Sequence, residues 1–538
     1  MRSWEERFHR MMADRLFLPN SPTLMNAGTP IGQLSACFVL PVEDSLEQIF
    51  DSVKSMALIQ RTGGGTGFSF SALRPQGDVL GSSGGRASGP CGFIQVFDCV
   101  TRQIQQGGRR RGANMAVLRC DHPDVLDFVR AKVDGVSLPT FNLSVGVTDA
   151  FMEAAARGET YPLVHPRTGA LGARISAREV LDAIADAAWR CGDPGLLFLD
   201  AVERDNPVPA LGRLESTNPC GEVPLLPYEA CNLGSINLAR MTRDANGRPA
   251  VDWELLRETT ARAVRFLDDV ITVSRAPQPE VERAVERTRK IGLGVMGLAE
   301  LFLRLDLRYG SEESLALAAE LMRAIGEQAH ATSRALAEER GPFSAWHLST
   351  FAARGVPMRN ATCTAIAPTG TIGMLAETSA SIEPLFALAY RRTVATGEAF
   401  LVASPLLLER LDALGARGRA LLDRVMATGS LAEVEDAPEE LRRVFVTALD
   451  LPASSHLRMA AAFQRHVDNS VSKTVNLPAG AKVDDVASAY RAAWELGLKG
   501  ITVFRYGSKG AQVLDLAEGE APHHYEHASR CDPYECRV

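Results

Sequence analysis

Residues 216–238 read STNPCGEVPLLPYEACNLGSINL, with Cys220 and Cys231 eleven positions apart and Asn218 and Glu222 two positions either side of the first. If the segment is extended, an amide, a thiol and a carboxylate at i−2, i and i+2 share one face, because side chains in a strand alternate. The three would then converge on one small volume. Three chemistries compete for a cysteine so placed: a metal ligand, a disulfide partner, or a thiol that reacts. Zinc sites usually carry paired C-x2-4-C or H-x3-5-H spacings, and neither Cys220 nor Cys231 has such a neighbour. Ordinary buried cysteines are common, but burial alone gives no reason for Asn218 and Glu222. The trio suits a polyol substrate. The amide can hold a hydroxyl, the carboxylate can take and return its proton, and the thiol can supply a hydrogen atom or a nucleophile. No histidine lies near in sequence to activate a thiolate.

Outward from this stretch, the chain has 538 residues, 46% of them hydrophobic, enough for a large core. A large α/β barrel absorbs several hundred residues as one unit. The net charge of -7 argues against a nucleic-acid polymer as the main ligand, while basic loops remain able to hold a small phosphorylated molecule. No uninterrupted apolar run reaches the roughly 18 residues of a membrane span. The opening MRSWEERFHRMMADRLFLPNSP has no signal-peptide core, so the protein reads as cytoplasmic. Ten cysteines are too few for a secreted disulfide scaffold, and clustered ones then point to metal or redox work.

The first 28 residues read as a helix running into a polar turn, PNSPTLMNAG, and 37–145 is unusually rich in glycine. Such density suggests close backbone approach to a ligand. Helical stretches at Ser176–Cys191 and Trp253–Val273 alternate with short apolar runs, the βα rhythm of a parallel or mixed sheet. IGLGVMGLAELFLRL, Ile291–Leu305, reads as a glycine-punctuated helix. APTGTIGMLAET, Ala367–Thr378, places Thr and Gly before an apparent helix, where backbone N–H groups suit phosphate oxygens. Residues 398–448 read as a solvated helical insertion, and 507–538 as a flexible tail.

Five segments together, NPCGE (218–222), CNLGSINL (231–238), PTGTIG (368–373), QGGRRRGAN (106–114) and VSKTVNLP (471–478), resemble the catalytic subunit of ribonucleotide reductases. They fall in the family's order, and the resemblance spans about Asn20 to Tyr506. It implies a ten-stranded α/β barrel of two five-stranded parallel halves over 20–506, after a helical segment at 1–19, with Cys220 on a loop threaded through the centre. Cys220 would be the thiyl radical that takes the ribose 3′-hydrogen, Glu222 the base on the 3′-hydroxyl, and Asn218 the group holding the sugar hydroxyls. Loss of the 2′-hydroxyl as water needs two electrons, which a dithiol supplies by closing a disulfide. Cys231 and Cys37, the latter in LSACFVLPVEDS, match the family's redox pair. Cys531 and Cys536, in the terminal CDPYEC, match its shuttle dithiol, recharged by thioredoxin or a similar protein. The competing reading there is a metal clip with His523, His524 and His527. The reaction's need for a reducing pair favours the shuttle.

The family's phosphate loop maps onto Pro368, Thr369, Gly370, Thr371 and Ile372, and Thr23, Ala36, Gly65, Pro219 and Gly221 onto its substrate pocket. Asp44 and Arg74 match the site of a deoxynucleotide effector at the edge of a homodimer. Gly107–Asn114 matches the loop that carries the effector's message, although Arg109 to Arg111 also suit a solvated surface. Too little chain precedes NSPTLMNAG for an N-terminal cone domain. The remaining cysteines, Cys91, Cys99, Cys120, Cys191 and Cys363, read as structural. Oxygen-dependent relatives import the radical through two adjacent tyrosines, where this chain has Val503-Phe504. Anaerobic relatives carry a glycyl-radical segment that VFRYGS does not fit. The resemblance therefore implies the adenosylcobalamin-dependent class, with no D-x-H-x-x-G segment to name a cobalt ligand. The alternative is the large subunit of an oxygen-dependent reductase with a separate radical-generating subunit. A catalytically silent relative is disfavoured by the presence of all five expected cysteines.

Overall fold

The computed structural model describes residues 3–81, 84–104, 112–393 and 399–508. Five strands, β1 (Cys37–Leu40), β2 (Gly65–Ser69), β3 (Asn114–Arg119), β4 (Phe141–Val147) and β5 (Gly195–Phe198), pair in parallel in that order. A second parallel half starts with β6 (Ala230–Asn237) and β7 (Ile291–Met296) and ends with β8 (Thr474–Leu477) and β9 (Gly500–Arg505). Residues 362–366 fill the gap between β7 and β8. They form parallel bridges Leu293–Thr364 and Ile366–Val471, and the Ala365 N–H donates to Leu293 O at 3.1 Å. They are the barrel's tenth stave.

The halves meet twice in antiparallel pairs, β5 with β9 and β1 with β6. The sheet thus closes into a barrel of two parallel halves running in opposite directions, and closure removes the unpaired edges that an open sheet exposes. Phe17–Pro19 adds antiparallel along β6, after a helix at Trp4–Ala13. Phe141–Val147, FNLSVGV, alternates apolar residues with Asn, Ser and Gly, and all but Asn142 are buried in a sheet that helices cover. Ala177–Cys191 is one such cover, capped by the Ser176 hydroxyl at Glu179 N–H and ended by Gly192 at φ +81°. Trp253–Val273 is another.

Two readings change. Ile291–Leu305 is not one helix: Ile291–Met296 is strand β7, and only Leu298–Arg304 is helical. The glycines permit close approach rather than punctuate a helix. A Cβ at Gly292 would sit 2.4 Å from Leu233 Cδ2, and one at Gly294 2.3 Å from Ala365 O. The stretch around 398–448 is not merely solvated either. Helices Pro405–Asp412, Ala416–Thr428 and Glu439–Val444 bury Leu407, Leu411, Leu421, Val425 and Val444 in a small core that also takes Leu303, Leu388 and Phe445. Cys531, Cys536 and Arg109 to Arg111 lie outside the described residues. No helix among the described residues is long and apolar enough to cross a membrane.

Asp468 fastens the tenth stave. Its carboxylate accepts from Cys363 N–H at 2.7 Å and Thr364 N–H at 3.2 Å, and pairs with His330 Nε2 at 2.8 Å. Asp468 raises the His330 pKa and is itself held below the usual carboxylate range, against its burial, by His330.

Candidate active site

Cys220 stands at the tip of a short hairpin, Ser216–Thr217 against Pro224–Leu225, that packs on β1, β2 and β3. The glycines of β2 make room for it. A Cβ at Gly67 would lie 1.7 Å from Thr217 O, and one at Gly65 2.9 Å from Pro219 Cγ. Both halves of the barrel hold the loop: Asn142 Nδ2 in β4 donates to Pro219 O at 2.9 Å, and Ser470 N–H donates to Glu222 O at 2.8 Å. The segment is not extended, as its spacing suggested. Gly221 has φ +82°, and its N–H donates to Asn218 O at 3.0 Å, so a tight turn brings the trio together. Glycine adopts that conformation without a Cβ penalty.

Asn218 and Glu222 are buried and bonded to each other, and Cys220 between them is half-buried. Asn218 Nδ2 donates to Glu222 Oε2 at 2.8 Å, and Asn218 Oδ1 accepts from Val223 N–H at 3.0 Å. Glu222 Oε1 faces the Cys37 thiol at 4.0 Å. Cys37 is the direct cross-strand partner of Cys231, at the β1–β6 junction. Opposed residues of antiparallel strands have Cα atoms roughly 4.5–5.5 Å apart, within the span of a disulfide. Both are thiols here. Burial pushes the Cys231 thiol up, with Glu222 and Glu229 adding and Lys290 opposing. Lys290 pairs with Glu229 at 2.7 Å in the same buried layer.

These groups border a cavity of about 400 Å³. Its lining takes the opening residues of the first half's strands, the middle of β6, and residues 471–474 and 500–504 at β8 and β9. Ala36, Cys37, Gly65, Asn218, Pro219, Cys220, Gly221 and Glu222 line one side, and Pro368, Thr369, Gly370, Thr371 and Ile372 another. Thr369 sits at φ +54° just before the short helix Gly370–Leu375, its hydroxyl oxygen accepting from Ser381 N–H at 2.7 Å. Thr23 is not part of the lining. Its hydroxyl donates to Leu34 O at 2.9 Å, and its neighbours Asn20, Ser21 and Pro22 face the space instead. Cys231 stands behind Cys37 rather than in the lining. Asp44 and Arg74 lie past the ends of β1 and β2, away from the cavity. Arg74 Nε reaches Asp44 Oδ2 at 2.9 Å and Nη2 reaches it at 2.8 Å, which raises the Arg74 pKa.

Two charged pairs in the wall escaped the sequence reading. Lys132 Nζ meets Asp193 Oδ2 at 2.8 Å, and Lys473 pairs with Glu383. Lys473 also reaches His456 Nδ1 at 3.0 Å; burial, then Lys473, pushes His456 down to about 3, so it stays neutral and accepts. Lys473 sits in VSKTVNLP, but nothing in the spacing of 132 and 193 or of 383 and 473 announces a pair. Val503 and Phe504 border the far side of the cavity, so no phenol stands at that point.

Comparison with known proteins agrees with this architecture. The family profile "Ribonucleotide reductase, barrel domain" matches residues 35–357 and 353–504, and "Ribonucleotide reductase, all-alpha domain" matches 1–32. A Mycobacterium tuberculosis protein named vitamin B12-dependent ribonucleoside-diphosphate reductase is 55% identical over 517 residues, covering 96% of this chain and 74% of that one. A Thermoplasma acidophilum protein of the same name is 50% identical over 515 residues, covering 96% of this chain and 66% of its own length. Among solved structures, the Actinobacillus ureae class Id ribonucleotide reductase alpha subunit superposes with a TM-score of 0.78 at 22% identity, covering 94% of this chain and 90% of that one, a likeness of fold. With a closed ten-stave barrel around the Cys220 hairpin and relatives matched along nearly its whole length, this chain belongs to the ribonucleotide reductase family.

Proposed function

We infer that this protein reduces ribonucleotides, as diphosphates, to 2′-deoxyribonucleotides by thiyl-radical chemistry, supplying precursors for DNA. The observation that carries the reading is the placement of Cys220, the Asn218–Glu222 pair and Cys37 around one cavity, with Cys231 paired across strands to Cys37. Cys220, as a thiyl radical, takes the 3′-hydrogen and later returns it. Glu222, oriented by Asn218, takes the 3′-hydroxyl proton. The 2′-hydroxyl leaves as water, and Cys37 and Cys231 supply the two electrons and two hydrogens as they close a disulfide. Burial keeps the Cys231 thiol protonated, which suits a hydrogen donor. The 368–372 loop receives the phosphates on its backbone N–H groups, which its glycine leaves open to approach.

Adenosylcobalamin, the cofactor implied by the names of the vitamin B12-dependent relatives, would approach Cys220 from the side of the cavity away from the 368–372 loop. Pro139, Ser144 and Gly500–Phe504, which also line the cavity, are the residues that would meet it. Bound there, the group would supply the radical that converts the Cys220 thiol to a thiyl. The relatives' names favour this over a separate radical-generating subunit. Cys531 and Cys536 carry electrons inward from thioredoxin or a similar dithiol, and Asp44 with Arg74 binds a deoxynucleotide effector at the edge of a homodimer.

The test is anaerobic conversion of CDP with dithiothreitol, with and without adenosylcobalamin. Product that depends on the cofactor is expected. Product without it would transfer the reading to the oxygen-dependent class, and absence of product under every effector would overturn it.

A further inference from the structure

The cysteine at the hairpin tip must meet a bound sugar within tenths of an ångström, yet it sits on a turn rather than on a strand. Of the contacts that hold the turn, the one made to the peptide next to Cys220 comes from Asn142. It is the second residue of β4, and its side-chain amide donates to Pro219 O at 2.9 Å. That carbonyl belongs to the peptide joining Pro219 to Cys220, so the bond holds the backbone one atom from the Cys220 nitrogen. Asn142 is in turn held from both sides. Asp193 Oδ1 accepts from Leu143 N–H at 3.0 Å, and Lys132 Nζ donates to Phe141 O at 2.5 Å and to Asp193 Oδ2 at 2.8 Å. The Lys132–Asp193 pair has side chains only 13% and 7% exposed, so solvent screens it little. It clamps the backbone on either side of Asn142 and turns a strand end into a rigid mount.

We propose that Asn142 is a positioning residue for Cys220, and that the Lys132–Asp193 pair, which no motif assigns, preorganises it. The proposal rests on the radical role inferred above for Cys220. A loop released by about 1 Å loses on the order of 10²-fold in rate when reacting atoms must be aligned. Because Asn142 acts on the loop and not on the phosphates, the loss falls on kcat and leaves KM near wild type.

The test compares wild type, Asn142→Asp, Asn142→Ala and Asn142→Gln, with thermal midpoints recorded to confirm folding. Asp keeps the shape but replaces the donor with an oxygen facing Pro219 O; Gln keeps the donor. The expected result is a kcat for the Asp and Ala variants lower by ten-fold or more at unchanged KM, with Gln retaining more activity than either. A second readout needs no turnover: the rate at which iodoacetamide alkylates Cys220, followed peptide by peptide, rises several-fold in the Asp and Ala variants. Equal alkylation rates in wild type and Asn142→Asp would overturn the proposal. So would a raised KM at unchanged kcat, since Asn142 would then be touching substrate. If alkylation responds but wild type forms no deoxynucleotide, the positioning of the loop stands and the reductase reading fails.

Discussion

Glu222 is oriented before any substrate arrives. Its Oε2 takes the Asn218 amide at 2.8 Å while Oε1 faces the Cys37 thiol, so the carboxylate has one defined direction. Glu222→Gln is therefore expected to lower turnover by about 10²–10⁴-fold, the usual worth of a positioned base, with substrate binding retained; steady-state kinetics on CDP would check it. Asn218→Ala is expected to cost activity through the same carboxylate. Cys531 and Cys536 make a separate case: changing both to Ser is expected to block the thioredoxin-driven reaction while sparing the dithiothreitol-driven one, and equal loss in both assays would remove the shuttle role. At this scale the sequence is legible where chemistry concentrates in a few adjacent positions. NPCGE marks the trio because its members are neighbours in the chain. Asn142, Lys132 and Asp193 are not legible, because an amide near the start of an alternating strand and a lysine sixty-one residues from its partner look like any surface polar residues until the barrel brings them together.

At the scale of elements, the hairpin and the glycine strands form one device. Gly67 has no Cβ because Thr217 O occupies that space. Gly67→Ala is expected to push the hairpin away, costing about 1–3 kcal/mol as overpacking does and lowering kcat more than stability alone explains. Thermal denaturation beside kinetics separates the two effects. Gly63 is a control, since a Cβ there meets nothing within 4 Å, although its φ of +90° adds local strain. The helix reading of Ile291–Leu305 fails for a related reason. I-G-L-G-V alternates with period two, but its apolar residues also suit a helix of a large core, and only the crowding by Leu233 and Ala365 shows why glycine is required. Trp253–Val273 is legible throughout, since a long amphipathic run with an Asp252 cap has no competing pattern.

For the whole molecule, antiparallel joining of the two halves places Cys37 on the first strand of one half beside Cys231 on the first strand of the other. No local pattern contains that proximity; it follows from closure, which only the order of several motifs along the chain implied. Closure also depends on the Asp468 pin. His330 has its pKa raised by Asp468, so the ion pair contributes its full stability below the unfolded value of roughly 6.5. That contribution fades as pH rises through the higher folded value. Thermal midpoints measured from pH 5.5 to 8.5 are expected to fall more in wild type than in His330→Gln; parallel curves would show that the pair does not couple to folding.

The most direct measurement on the central claim uses CDP deuterated at C3′ with adenosylcobalamin and dithiothreitol, comparing wild type with Cys220→Ser. If Cys220 takes the 3′-hydrogen, wild type shows a primary isotope effect on product formation and the serine variant forms no dCDP. Deoxynucleotide made by Cys220→Ser would contradict the account.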